Sequence, residues 1–224
     1  MRIIAGIVSI AVLMWVETAS AQKTYSLSVS RHNAVPELSA GEVEAILDRA
    51  SKTLQKDSNH TGPNDVACNV AFKLNGPIRT FTSPAMPIVD RNNIGAVHRV
   101  DSDVGGVDFH VKLVEKITFC RPDLPPKFRA FEGCSYSPPN FRSMILVHPK
   151  LQPVANYPDH LLWPHEFGHL TGLPHRRDPS ALMTPCALAD TSVQVSREEC
   201  DHFLSGPGAQ ATKPPIVCLD PPRR

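Results

Sequence analysis

Three histidines and one glutamate between His165 and His175, in the run His-Glu-Phe-Gly-His-Leu-Thr-Gly-Leu-Pro-His, constrain this chain more than any other feature. Residues four apart on a helix lie one above the other, so a helix bearing His165 and His169 aims both imidazoles at one point. Glu166 falls on the flank of that face, near a metal-bound water rather than on the metal. Gly172 has no Cβ and can take the left-handed conformation that ends a helix, after which His175 can return beneath the same ion as a third ligand. Three neutral imidazoles leave one tetrahedral position open, as catalytic zinc needs, whereas closed structural sites have four protein ligands. At this chain's residue frequencies, roughly 200 windows give an expectation on the order of 10⁻⁴ chance matches, which sets aside coincidental histidines on a surface helix. The segment from Pro158 to Trp163 reads as the opening of the helix, with Pro and an acid in its first turn.

The pattern His165-Glu166-x-x-His169-x-x-Gly172-x-x-His175, followed by Met183 in Ser180-Ala-Leu-Met-Thr-Pro185, resembles the metzincin clan of zinc endopeptidases with its Met-turn. Ala-Leu-Met-x-Pro is most similar to the matrixin-like branch. The resemblance implies an α+β zincin-like catalytic domain: a twisted, mostly parallel five-stranded sheet, an active-site helix, and a smaller irregular lower subdomain after Gly172. It implies Met183 as the apolar floor under the three histidines, not touching the metal. Several features depart from the family. Pro164 stands directly before His165, where it either kinks a helix begun at Pro158 or itself occupies the first turn. Arg176 follows the third histidine, where some branches carry an acid; no Tyr stands near Met183; and the cysteine-bearing propeptide motif of matrixins is absent.

The chain begins Met1-Arg2, then runs apolar from Ile3 to Val16 and reaches Ala19-Ser20-Ala21, the pattern of a secretory signal over residues 1–21. Residues 22–224 then form a single exported domain, its upper part about 22–172 and its lower part about 173–224, in the periplasm or outside the cell. Six cysteines, Cys68, Cys120, Cys134, Cys186, Cys200 and Cys218, follow that segment, an even count that favours disulfides. Fifteen connectivities are open; two similar local spacings suggest Cys120 with Cys134 and Cys186 with Cys200, leaving Cys68 for Cys218. A net charge of +1 argues against nucleic acid or anionic membrane as a partner, and no later segment is apolar enough to span a bilayer. The expected partner is a protein or peptide substrate, met by a monomer. The 22 prolines fit rigid extended loops more than long helices.

Alternation predicts a strand at Tyr25–Ser30, and helical spacing predicts a helix over Leu38–Leu54 with Ser39 and Glu42 as a capping box. Strands are predicted at Val66–Leu74, Gly95–Val100, Val107–Ile117 and Ser143–His148, a turn at Asn75-Gly76-Pro77, and a short helix over Ser196–Leu204. Cys134 to Ser137 is read as a plain connecting loop or as the sheet edge on which a substrate strand is laid. His98, Asp101, Asp103, Asp108 and His110 crowd around Gly105-Gly106 and are read as a solvated polar loop, or as ligands of a second zinc or calcium. His148, His160 and His202 are read as ordinary surface or satisfied histidines. Asn59-His60-Thr61 matches the glycosylation acceptor pattern.

The function expected is that of a secreted zinc metalloprotease, a hydrolase with one catalytic Zn²⁺ on His165, His169 and His175. Peptide bonds are broken by attack of a zinc-bound water activated by Glu166. The alternative is a secreted zinc-binding protein without proteolytic activity, for which Glu166 has no use.

Overall fold

Lys23 to His32 form a ten-residue strand, β1, whose middle, Leu27 to Ser30, is buried on both faces, as a central strand of a covered sheet is. The computed structural model describes residues 21–56, 65–120, 131–135, 142–151, 158–185, 191 and 193–208. After β1 come helix α1 (Ala40–Gln55), β2 (Val70–Leu74), β3 (Arg79–Phe81), β4 (Ile88–Val89), α2 (Ile94–Arg99), β5 (Phe109–Val114), β6 (Lys116–Ile117), β7 (Gly133–Ser135), β8 (Ser143–Val147), α3 (Asp159–Leu170) and α4 (Arg197–Ser205). The signal-like segment, Asn59 to Thr61, Cys186, Cys218 and the Pro-rich tail beyond 208 lie outside the described residues.

The main sheet runs β2-β1-β5-β8-β7, with β3 also paired to β1. All its pairs are parallel except β7 with β8, which is antiparallel. This is the mostly parallel sheet with flanking helices that the resemblance implied. Parallel strands need crossover connections, and α1 supplies the one between β1 and β2. It forms for local reasons: Ser39 accepts from the Glu42 backbone and Glu42 reaches back to Ser39, while Val43, Ile46, Leu47, Ala50 and Leu54 recur on the buried face.

Alternation along the strands divides the interior in two. Leu27, Val29, Val111, Leu113, Met144 and Leu146 face α1 and α3 in the larger core; Val114, Ile145 and Val147 face the other way, with Val89, Ile94, Val97 and the Cys120–Cys134 pair. Phe167, inside the histidine motif, is fully buried among the rings of Tyr25, Phe72 and Phe109 at 4.9, 5.0 and 4.9 Å. Burial of such a ring contributes about 2–3 kcal/mol, and it anchors α3 by the side opposite its histidines.

Three expectations are corrected. The predicted strand at Gly95–Val100 is the helix α2: Asp90 Oδ1 accepts from the Asn92 and Asn93 backbones at 2.8 and 3.1 Å and turns the chain into helix. The apolar residues Ile94 and Val97 then follow a three-residue, not a two-residue, period. The predicted strand Val107–Ile117 is divided, because β6 leaves the main sheet to pair with β4. Finally, Cys200 pairs with Cys68 and not with Cys186, so Cys68 is not left for Cys218. Its Cα lies 5.3 Å from that of Cys68 across a separation of 132 residues, with the Val66 N–H donating to the Val195 carbonyl at 2.9 Å just ahead of both cysteines, a proximity that no local spacing reports. Cys120 and Cys134 are bonded, with Cα atoms 5.5 Å apart.

Candidate metal centre

Helix α3 opens at Pro158, its extended N-cap, with Asp159 in the first turn. Pro164 lies within the helix, not at its start; having no N–H, it cannot donate the ladder bond to residue 160. At the other end Gly172 takes φ +86°. The Leu173 N–H donates to the Gly168 carbonyl at 2.9 Å and the Gly172 N–H to that of His169 at 3.0 Å, the paired bonds of a left-handed glycine cap. The chain therefore reverses directly under its own last turn and carries His175 back to the histidines above.

One nitrogen from each of His165, His169 and His175 lies within 4.8 Å of the other two. Ring centroids are 4.8 Å apart for His165 and His169, 5.3 Å for His165 and His175, and 4.6 Å for His169 and His175. Nε2 of His169 stands 3.0 Å from Nε2 of His175. Nδ1 of His165 lies 2.7 Å from the Leu182 carbonyl, and Nδ1 of His169 lies 2.8 Å from that of Leu173. A carbonyl only accepts, so both Nδ1 atoms carry the proton and both Nε2 atoms present a lone pair to the cluster. Burial holds His165 neutral, its pKa pushed down to about 3, with the neighbouring His175 adding to the shift. Three imidazoles converging on one point, two of them oriented by backbone carbonyls, are a donor set that suits zinc or a similar divalent ion. Zn–N bonds of about 2.0–2.1 Å in a tetrahedron place ligand nitrogens roughly 3.4 Å apart, a spacing this cluster brackets.

Beneath the histidines runs the turn at Ala181 to Thr184. Met183 is fully buried, and a Cβ built on Gly168 would stand 2.5 Å from its Sδ, so the methionine lies against the helix turn between the two histidines. The turn is held from below: the Leu182 N–H donates to the Gln194 carbonyl at 2.9 Å and the Gln194 N–H to that of Ser180 at 2.8 Å. Lys56 and Asp65 pair at 3.0 Å with both side chains fully buried; Lys56 also donates to the Val193 carbonyl, and Asp65 accepts from the Val195 N–H at 2.9 Å. Arg176 donates its backbone N–H to the Met183 carbonyl at 2.7 Å and sets its guanidinium 3.4 Å from Glu199. It thus ties the third histidine's loop to the turn and to α4.

Glu166 is buried against β7, where Ser135 Oγ donates to its Oε2 at 2.6 Å. Burial pushes its carboxyl up to about 7, opposed by the Ser135 hydrogen bonds. Cys134 and Ser135 lie in β7, the outermost strand of the sheet among the described residues, and not in a plain loop, while Tyr136 and Ser137 lie outside the described residues.

The loop around Gly105-Gly106 is solvated as read, with Asp103, Gly105 and Gly106 exposed, but the flanking His98 and His110 are buried and the cluster is not a metal site in form. Asp108 accepts from the Ser26 N–H and hydroxyl at 2.7 and 3.0 Å, Asp101 from Ser30 at 2.5 Å; His98 meets Ser143 at 2.6 Å and His110 meets Ser28 at 2.8 Å. Amid them Lys112 is fully buried, its amino group without a hydrogen-bond partner among the described residues. That ammonium repels any cation. Among the described residues, only the three histidines form a group of three or more His, Cys, Asp or Glu able to hold a metal. His148 is also fully buried rather than on the surface, its Nε2 without a hydrogen-bond partner among the described residues, whereas His202 is partly buried and bonded to the Thr171 carbonyl at 2.9 Å. The carbonyls of Leu173 and Leu182 and the glycine at 133 carried no sequence signal of a role, and Ser135 carried one only as part of a possible sheet edge, not as a partner of Glu166.

No protein-family model matches this chain, and no curated protein matches it. Among solved structures it is similar to the archaemetzincin of Methanopyrus kandleri, at 16% identity over 85% of this chain and 98% of that one, with a TM-score of 0.47. It is also similar to metalloproteinase-II of Bacteroides fragilis, at 14% identity over 82% of this chain and a TM-score of 0.47, spanning 52% of that chain. What the site can do therefore rests on its own geometry.

Proposed function

We propose that this chain is an exported zinc-dependent endopeptidase of metzincin type, with residues 1–21 as its signal and 22–224 as one catalytic domain. The observation that supports this reading is the convergence of His165, His169 and His175 beside a buried glutamate at a sheet edge. No helix among the described residues is long and apolar enough to cross a membrane. When bound, zinc supplies Lewis acidity that polarises a carbonyl and acidifies a water. The chain's own groups do the rest. His165 and His169, oriented by carbonyls, would hold the ion together with His175, and Glu166 would accept the water's proton and return it to the leaving amine. The outer edge of β7, paired with no described strand, offers backbone groups to an extended peptide. The substrate is accordingly a protein or peptide, and the working form a monomer.

The test is cleavage of a mixed peptide library by the purified protein, alongside its metal content. Cleavage should stop with a chelator and return with zinc, and Glu166→Ala should bind zinc yet lose about 10²–10⁴-fold in rate. Equal cleavage by both proteins rejects the assignment of Glu166. Zinc bound without cleavage by either makes this a zinc-binding protein.

A further inference from the structure

Adjacency to His165 places only the backbone of Glu166; three side-chain bonds still rotate before the carboxylate, and its oxygens can sweep several ångströms. One strand removes that freedom. The Ser135 hydroxyl lies 2.6 Å from Oε2 and 2.7 Å from the backbone carbonyl of the same glutamate. Its single proton is shared between them, with the ionised carboxylate the stronger acceptor. The other oxygen rests on Gly133, where an added Cβ would stand 2.3 Å from Oε1 and 2.5 Å from Cγ and Cδ. Gly133 and Ser135 are two apart on β7 and share a face. Cys134 between them turns to the opposite face, where it is bonded to Cys120 and packed in the second core. The strand is stapled from one side and grips the carboxylate from the other.

We propose that Ser135 is the positioning residue of Glu166: its hydroxyl holds the proton-accepting carboxylate in place while the bare Cα of Gly133 leaves it room. This rests on the hydrolase reading above. A displacement of about 1 Å in a reacting group can cost on the order of 100-fold in rate, so a tether on the carboxylate has a kinetic consequence. The same strand is the outermost strand of the sheet among the described residues. A peptide laid along it would share one backbone reference with the base that activates its attacker.

Steady-state hydrolysis by wild type, Ser135→Ala, Ser135→Thr, Ser135→Val, Glu166→Ala and the Ser135→Ala/Glu166→Ala double variant tests this, together with zinc affinity and thermal melting of the zinc-free proteins. Ser135→Ala should lower kcat about 10- to 100-fold and leave KM and zinc affinity unchanged. Ser135→Thr should retain most of the rate and Ser135→Val should not; these two share a shape and differ in the hydroxyl, so their ratio is informative even if the alanine variant fails to fold. On the Glu166→Ala background, Ser135→Ala should cost nothing further, and in zinc-free melts the two shifts should be non-additive. Wild-type kcat in Ser135→Ala and Ser135→Val, an equal extra loss on the Glu166→Ala background, or additive melting shifts would overturn the inference while the hydrolase reading stands. A wild-type protein that binds zinc and cuts nothing removes the hydrolase reading, and the inference with it.

Discussion

Gly168 shows how the site depends on single atoms. In an exposed helix, Gly→Ala gains about 1 kcal/mol of helix propensity. Here the new Cβ would stand 2.5 Å from Met183 Sδ, 3.0 Å from its Cε and 3.3 Å from Phe203 Cζ, and overpacking of a filled core costs about 1–3 kcal/mol. The clash should win: Gly168→Ala is expected to lower the melting temperature and, by displacing the turn whose Leu182 carbonyl orients His165, to weaken zinc affinity. A thermal melt and a competition titration with a chromophoric chelator read the two effects; unchanged zinc affinity would show that the turn tolerates the shift. The three histidines were legible in the sequence because their spacing is a covalent fact and the helix converts four residues into one face. Ser135 was legible only as a stretch of possible edge, since its bond to Glu166 spans 31 residues and arises from strand packing, not from spacing.

Among the elements, β5 carries the least expected group. Burial pushes the Lys112 ammonium down to about 8, with Asp101 pulling it back up. A cation whose folded pKa lies below its unfolded value near 10.4 opposes folding at every pH below that value, and the cost is fully present below the folded pKa. Lys112→Met, which keeps the length of the chain, is therefore expected to stabilise the protein at pH 7 by about 1–3 kcal/mol, with the gain fading towards pH 10. Urea unfolding at pH 7 and pH 10 checks both parts; destabilisation at pH 7 would mean that the amine makes a contact worth more than its desolvation. The elements themselves were legible in unequal measure. Helix α1 and helix α4 announced themselves through Ser39 and Ser196, whose caps are local chemistry. Helix α2 did not, because its β-branched residues favour strand, and the side chains of Asp90 and Asn93 that turn the chain lie ahead of it.

At the level of the molecule, acid and reduction should be the weak points. His98 is held down to about 3, and His110 and His148 to about 4, in each case chiefly by burial. These folded pKa values lie below the unfolded value near 6.5, so their stabilising contribution is complete above that pH and is lost as pH falls towards 4 and then 3. Unfolding should take up protons across this window, seen as a melting temperature that declines from about pH 6.5 downwards in the metal-free protein; a flat profile there would show that these imidazoles ionise in place. The Cys68–Cys200 bond closes a loop of 132 residues, worth about 5 kcal/mol in the chain-entropy model. Replacing both cysteines by serine should lower stability by several times more than a typical surface substitution, as a denaturant titration will show. The sequence by itself determined the three converging histidines, the glutamate beside them and the capped helices, because each is written in spacings of a few residues that the backbone converts directly into geometry. Only the tertiary structure decided which cysteine meets Cys68, which strand grips Glu166 and which carbonyls orient His165 and His169. Those partners are distant along the chain or belong to the backbone, and packing, which brings them together, leaves no local pattern to read.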